Sequence, residues 1–249
     1  MGIGYGNAVI YDYSSIANIT GPTGWYNIRM NNGYVAPLYI DQDYDGGGWI
    51  LVFQNNRYTS GMNNLKWGDA MNKVNYRWGG TDDATNNEGR RIGETTLDKF
   101  NCWVGLNYFS SLTGRKTSGR IEIVQFMSDT KGTALSDTAN HRNGITYYAT
   151  GINSSTGAWI GGAGGSVYAG TDGNSGMYSY VVGGYSLTTY DRDLDSNGGN
   201  CSTYYNNNPY WYTSCWSGNI FAGGGYIDSS YWTSSSSGYS REYGAVYIK

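Results

Sequence analysis

The sequence predicts an α+β fold dominated by sheet, with few short helices and long ordered loops. Three observations carry that expectation. Short apolar runs, alternating or continuous, recur along the chain; helix signals are scarce; and the large apolar area comes from rings, with 9 Trp, 26 Tyr and 5 Phe beside 39 Gly in 249 residues. Buried Tyr and Trp need hydrogen-bond partners as well as apolar neighbours, so an irregular fold with aromatic surfaces suits this composition better than a helix bundle. The length suits one large domain or two small ones, and it is enough to bury a core without many disulfides. No linker interrupts it, so 1–249 reads as a single recognition domain.

The elements follow in order. Residues 14–18 allow a short helix. Residues 25–30 and 34–40 form a hairpin, because Asn31-Asn32-Gly33 between them supplies positive φ for the turn. The apolar run 49–53 reads as a buried central strand. Residues 95–100 form a candidate helix with a threonine cap and an acidic first turn, and 103–112 a second. Residues 120–126 and 244–248 alternate as strands. The stretches 161–165, 170–176, 197–208 and 234–238 read as loops, ordered rather than disordered because Trp and Tyr interrupt these Gly, Ser and Asn segments.

Charge narrows the function classes. Lys and Arg total 16 against 19 Asp and Glu, a net charge of −3, and no long basic run exists, so a nucleic-acid partner is not expected. No stretch approaches the roughly 18 apolar residues of a membrane helix, so membrane insertion is not expected. The opening Met1-Gly2-Ile3-Gly4-Tyr5-Gly6 does not read as a secretory signal. The expectation is a signal already removed, or release by lysis as for a virion component.

Catalytic readings fail for lack of parts. His141 is the only histidine, no G-x-S-x-G elbow occurs, and a zinc site needs more His or Cys than the chain has. The glycine run 161–165 lacks the Lys-Ser/Thr of a phosphate loop. A glycosidase pair of carboxylates cannot be removed by counting, but the clustered aspartates are better used on a cation. The triplets at Asn18, Asn153 and Asn200 that resemble glycosylation acceptors are attributed to chance in so Asn-, Ser- and Thr-rich a chain.

Three cysteines allow one internal bridge at most. Cys201 and Cys215 enclose a short loop that a bridge can close, stabilising it by about 3 kcal/mol in the chain-entropy view. Cys102, in Phe100-Asn101-Cys102-Trp103-Val104, reads as a buried thiol rather than a nucleophile. Just before the close pair, Asp191, Asp193 and Asp195 alternate and are followed by Asn197, Gly198 and Gly199. Alternate carboxylates in a tight loop can converge on a hard cation, with Asn or carbonyl oxygens completing an irregular shell that suits calcium; the same residues read equally well as a solvated acidic turn. A bridge around Tyr204, Tyr205, Tyr210, Trp211 and Tyr212 would display rings beside that loop, the surface that stacks on apolar sugar faces, although Trp211 reads better as core.

These residues carry a resemblance that runs from about residue 14 to 249. Thr23-Gly24-Trp25-Tyr26-Asn27-Ile28 resembles SGxYxI, Pro37-Leu38-Tyr39-Ile40-Asp41 resembles PxxVYCD, and Asp45-Gly46-Gly47-Gly48-Trp49-Ile50 resembles DGGGWT. Cys102-Trp103-Val104-Gly105-Leu106 with Leu112-Thr113 resembles FWLGLxxIxxLT. Gly183-Gly184-Tyr185, the aspartate run through Asn200-Cys201, and Trp211-Tyr212 with Cys215 complete the order. The pattern is similar to the fibrinogen-related domains of ficolins, tachylectins and fibrinogen.

The resemblance implies a twisted antiparallel sheet, few short helices and a loop-rich C-terminal calcium and ligand subdomain. It implies a Ca2+ ion held by Asp193 and Asp195 and by backbone oxygens of Asn197 and Gly199, with Asp191 outside that shell, and a cis Asn200-Cys201 peptide. It implies a ligand pocket at Tyr204, Tyr205, Trp216, Tyr226 and Tyr239. The C-terminal tail also resembles intelectins, on whose pattern Trp232 and Tyr239 flank a sugar. Two departures stand out: Ile40 replaces a family cysteine, so one disulfide is absent, and Trp216 stands where many members carry a pocket histidine. The expected function is a calcium-dependent, lectin-like glycan-binding module, acting as an adhesin or receptor-binding domain at an extracellular or virion surface such as a tail-fibre tip. Its partner would be a cell-surface glycan or acylated sugar, and it would work as a homo-oligomer. The alternative is a structural or assembly module that binds a protein or peptide.

Overall fold

The computed structural model describes residues 9–56, 64–73, 76–78, 101–112, 121–128, 143–169, 184–205, 207–212, 214–215 and 243–249. In chain order the strands are β1 (Ile10–Asp12), β2 (Gly24–Arg29), β3 (Val35–Asp41), β4 (Trp49–Asn56), β5 (Tyr76–Trp78), β6 (Asn101–Trp103), β7 (Ile121–Ser128), β8 (Asn143–Ala149), β9 (Gly151–Ile152), β10 (Trp159–Ile160), β11 (Ala163–Ala169) and β12 (Tyr243–Ile248). The helices are short: α1 (Trp67–Asn72), α2 (Phe109–Leu112) and α3 (Cys201–Tyr204), with 3-10 turns at Tyr13–Asn18 and Leu106–Tyr108. No described helix is long and apolar enough to cross a membrane.

The β2–β3 hairpin forms as the turn residues require. Met30 N donates to Tyr34 O at 2.7 Å and Gly33 N to Met30 O at 2.9 Å, while Gly33 takes φ +84°, a conformation open to a residue without Cβ. From this hairpin the described strands build a ten-stranded sheet in the order β1-β2-β3-β4-β12-β7-β8-β11, with β6 also on β4 and β5 on β6. The last strand of the chain therefore lies in the middle, pairing Ile248 with both Ile50 and Ile123. Pairing is antiparallel except between β1 and β2, which run parallel.

Period-two alternation sends side chains to two faces. Ile50 and Val52 of β4, Leu38 and Ile40 of β3, and Val246 and Ile248 of β12 enter the main core. Their neighbours Trp49, Leu51, Tyr39, Ala245 and Tyr247 form a smaller cluster with Cys102. Ile40 is fully buried, so the position where the resembled family has a cysteine is filled by aliphatic packing. Cys102 is 7 % exposed, the buried thiol that its apolar setting predicts.

The main core is aromatic, as the composition requires. Ring centroids step from Phe53 to Trp103 at 5.8 Å, to Trp211 at 6.5 Å, to Trp159 at 6.0 Å and to Phe109 at 5.6 Å. Two of these rings use their polar edge: Trp103 Nε1 donates to Ala70 O and Trp211 Nε1 to Gly157 O, at 2.9 and 2.8 Å. Gly157 sits at φ +62°, and a Cβ there would lie 2.8 Å from Leu187 Cβ, so only glycine fits. This row of rings joins the sheet to the C-terminal loops.

Several expectations change. Gly164 and Gly165 lie in β11, not in a loop. Its register on β8 shifts twice, between Ala163 and Ser166 and between Val167 and Ala169, and glycines in a strand mark such irregularities. Trp103 ends a strand; helical turns begin only at Leu106. Within the expected loop 197–208, residues 201–204 form α3. The 14–18 helix is present as the 3-10 turn Tyr13–Asn18. The candidate helix 95–100, the loops 170–176 and 234–238 and His141 lie outside the described residues.

Candidate functional site

The segment entering the aspartate run is held before the acidic residues begin. Thr188 and Tyr210 exchange backbone hydrogen bonds at 2.9 and 3.1 Å, and Thr189 and Arg192 exchange two of 3.0 Å across a tight turn. Helix α1 begins at Trp67 without a side-chain cap from Lys66, which leaves first-turn N–H groups to be satisfied from elsewhere. Asp191 supplies one acceptor: its Oδ1 takes Trp67 N at 2.9 Å and Thr189 Oγ1 at 2.8 Å. Arg192 lies over the Trp67 ring, 4.0 Å from its centroid, and donates to Ser155 O at 2.9 Å, a cation–π contact with one hydrogen bond added. A second joint links the same region to the far side of the loop. Asn207 Nδ2 donates to Asn64 Oδ1 at 2.8 Å and Asn64 N to Asn207 O at 3.2 Å.

The loop proper runs from Asp193 to Asn200. Asp193 is exposed and its Oδ1 accepts from Asp195 N at 3.3 Å. Asp195 accepts from Asn197 N at 2.9 Å and, through its other oxygen, from Cys201 N at 3.0 Å. Asn197 Nδ2 donates to Gly199 O and to Cys215 Sγ, at 3.2 and 3.1 Å. Asn200 closes the loop from both sides: its Nδ2 donates to Thr189 O at 2.9 Å, and its Oδ1 accepts from Thr203 N at 3.0 Å as the cap of α3. Cys201 is bonded to Cys215 with Cα atoms 4.9 Å apart. No described peptide is cis, so Asn200-Cys201 is trans, contrary to what the resemblance implies.

Burial raises the Asp195 pKa; hydrogen bonds from Cys201 N and Asn197 N pull it down, and the Asp193 carboxyl, close enough to share a hydrogen bond, pushes it up again. Among the described residues neither Asp193 nor Asp195 forms an ion pair. Asp195 is grouped in space with both sulfurs of Cys201 and Cys215, but a disulfide offers no thiolate. The donors left are oxygens, from two carboxylates and the carbonyls of the exposed residues Asn197 and Gly199. Such a set in an irregular loop fits Ca2+ and not a thiolate-seeking metal.

The rings near the clip divide into two groups. Tyr204 is 78 % exposed. Tyr205 is half-buried, meets Tyr204 edge-on at 5.1 Å and stacks on Tyr212 at 5.7 Å with 15° between planes. Tyr210, Trp211 and Tyr212 are buried; Trp211 is core as expected, and the expected display of the other rings is corrected to Tyr204 and Tyr205. Two of the inner three are held by polar edges as well as packing, Trp211 through Gly157 O and Tyr212 with its OH donating to Asn208 O at 3.1 Å. Trp216, Tyr226, Trp232 and Tyr239 lie outside the described residues.

Sequence reasoning missed Trp67, Arg192, Asn64 and Asn207. Nothing local marks them, since their partners lie far along the chain.

The family profile described as fibrinogen beta and gamma chains, C-terminal globular domain, matches residues 15–241. The chain belongs to that family. Fibrinogen-like domains are binding modules, and this one is not an enzyme. The human fibrinogen alpha chain is 28% identical over 228 residues, covering 91% of this chain and 23% of the relative; human Ficolin-3 is 28% identical over 201 residues, covering 80% and 54%. The chain thus spans from about a quarter to about half of the curated relatives it matches. Among solved structures, the fibrinogen-like globe domain of human ANGPTL6 superposes with a TM-score of 0.59 at 19% identity, over 100% of this chain and 98% of that one. The lamprey fibrin D-dimer, complexed with the peptide ligand Gly-His-Arg-Pro-amide, gives a TM-score of 0.60 at 16% identity, over 98% and 74%. These likenesses fix the fold.

Proposed function

We propose that this fibrinogen-like domain is a calcium-dependent, lectin-like module that binds cell-surface glycans or acylated sugars from an extracellular or virion surface, as an adhesin or receptor-binding domain. The observation that carries the reading is the juxtaposition of two carboxylates that form no ion pair among the described residues, Asp193 and Asp195, with a disulfide-pinned turn that presents Tyr204 to solvent. Ca2+ would be held by Asp193, Asp195 and the backbone oxygens of Asn197 and Gly199, and would supply rigidity and charge compensation. The chain's own residues do the rest. Asp191, Arg192 and Asn200 fix the loop's entry and exit, and Tyr204 and Tyr205 offer a ring face with a hydroxyl edge, the chemistry that meets a sugar. Trp216, Tyr226, Trp232 and Tyr239 complete the proposed pocket from the family resemblance. A loop ordered before binding loses less entropy on capture, and weak single sites gain avidity when 1–249 acts as one unit in a homo-oligomer.

A second reading, a peptide-binding assembly module, is favoured by one observation: the lamprey fibrin neighbour carries a bound peptide. A glycan array probed with a multimerised chain, in calcium and in chelator, separates the two. Calcium-dependent retention of carbohydrate that Tyr204→Ala reduces, without loss of thermal stability, supports the lectin reading. Binding of short peptides with no carbohydrate retained would replace it by the second.

A further inference from the structure

Three Asn-Gly pairs occur in the chain: Asn32-Gly33, Asn143-Gly144 and Asn197-Gly198. This dipeptide is the one most prone to spontaneous deamidation, because glycine puts no side chain in the way of its own amide nitrogen. In that reaction the glycine nitrogen loses its proton and attacks the asparagine Cγ. The Cγ–Nδ2 bond breaks and Nδ2 leaves as ammonia. Water then opens the succinimide ring at either carbonyl, giving aspartate or isoaspartate. The attacking nitrogen must be uncommitted and the backbone free to turn toward the side chain.

The three sites differ above all in the first condition. Gly33 N donates to Met30 O at 2.9 Å inside the hairpin turn. Asn32 is tied at both side-chain atoms, its Nδ2 donating to Tyr108 OH and its Oδ1 accepting from Tyr34 N, each at 3.0 Å. Asn143 and Gly144 lie in β8, where Gly144 is paired with Phe126 on one side and Ala169 on the other. A ladder position holds its residue extended and away from ring closure. Asn197 and Gly198 are exposed in a loop. Gly198 N has no acceptor among the described residues, and no heavy atom lies within 4 Å of where a Cβ on Gly198 or Gly199 would stand.

We infer that Asn197 is a built-in deamidation site of the folded chain, the one Asn-Gly pair whose glycine nitrogen has no acceptor among the described residues. Its conversion removes the Nδ2 donor to Gly199 O and Cys215 Sγ. Isoaspartate adds a backbone methylene between Asp195 and the disulfide. On the calcium reading above, on which this one consequence rests, the added methylene displaces the carbonyls of residues 197 and 199, so the modification acts as a slow off-switch for the site.

The test needs no metal. The native chain is aged in mildly alkaline buffer with chelator, and isoaspartate is assigned by peptide mapping. The expected result is conversion of most of Asn197 while Asn32 and Asn143 stay intact, loss of this selectivity in denaturant, and slowed conversion at Asn197 in Gly198→Ala. Equal rates at the three sites in the native chain would overturn the inference, as would unchanged selectivity in denaturant or an undiminished rate in Gly198→Ala.

Discussion

Two stretches of this chain carry aspartate at three alternate positions: Asp41, Asp43 and Asp45 before the glycine turn, and Asp191, Asp193 and Asp195 before the disulfide. The protein satisfies the first run itself. Asp41 is fully buried and its Oδ1 accepts from Asp43 N and Tyr44 N at 2.9 and 3.0 Å. Asp43 takes Thr23 Oγ1 at 2.6 Å, and Asp45 faces Lys249 Nζ at 3.8 Å. Those carboxylates are close enough to matter electrostatically. Burial first, then Asp41 and Asp43, push the Tyr39 pKa up to about 12; burial, then Asp45 and Glu122 with Tyr148, push that of Tyr44 to the same level.

The second run is handled differently. Asp191 caps α1, and Asp195 takes the amides of Asn197 and Cys201 within its own loop. Asp193 and Asp195 repel one another beside a disulfide, with no ion pair to either among the described residues. The spacing of carboxylates therefore does not specify a cation site. Both runs receive hydrogen-bond donors; what separates them among the described residues is the cation, Lys249, that the fold brings to the first.

The largest expected effect concerns the clip. Replacing Cys201 and Cys215 together by serine opens a loop with a sequence separation of 14, and such a loop is worth about 3 kcal/mol. The denaturant midpoint should fall accordingly; an unchanged midpoint would mean that the second run is held by α1 alone. Next comes Asp41→Ala, which strips two amides of a buried acceptor. Global stability should drop by about 1–3 kcal/mol, whereas Asp193→Ala without metal should stay within about 0.5 kcal/mol of wild type. Equal losses would erase the distinction between the runs.

The smallest effect is a pH dependence. The Asp195 pKa is raised above 3.8 in the folded chain, so the folded state binds that proton more tightly than the unfolded state. Linkage then makes the metal-free chain lose stability as pH rises from the unfolded value through the folded one. Chemical denaturation across acidic pH should show this slope in wild type and not in Asp195→Asn. A slope of opposite sign attributable to Asp195 would show that its two backbone hydrogen bonds outweigh burial and Asp193.

Much of the sheet was legible because its strands announce themselves over short range. The hairpin needs only its Asn-Asn-Gly turn, and β4, β7 and β12 alternate or run apolar throughout. Strand β11 was not legible, since its glycines read as loop and only pairing with β8 makes them strand. Helix α1 was missed because what starts it, Asp191, lies 124 residues away. At the site, the disulfide and the burial of Trp211 followed from spacing and from the need of a core for rings. The fate of each aspartate did not: Asp43 meets Thr23 and Asp45 meets Lys249, partners far along the chain, while among the described residues Asp193 accepts only from the nearby Asp195 N. Likewise, Tyr204 and Tyr212 cannot be told apart as exposed and buried until Trp211 is anchored on Gly157.

The central claim is that the loop from Asp193 to Gly199 is completed by a cation, while the loop from Asp41 to Gly48 is already complete. Thermal unfolding of wild type, Asp193→Ala and Asp43→Ala, each with calcium and with chelator, tests it most directly. Wild type and Asp43→Ala should gain stability with calcium, by about 2.7 kcal/mol when the ion is at a hundred times its Kd, and Asp193→Ala should gain none. Identical wild-type melting in calcium and chelator, or a full calcium gain in Asp193→Ala, would contradict the account.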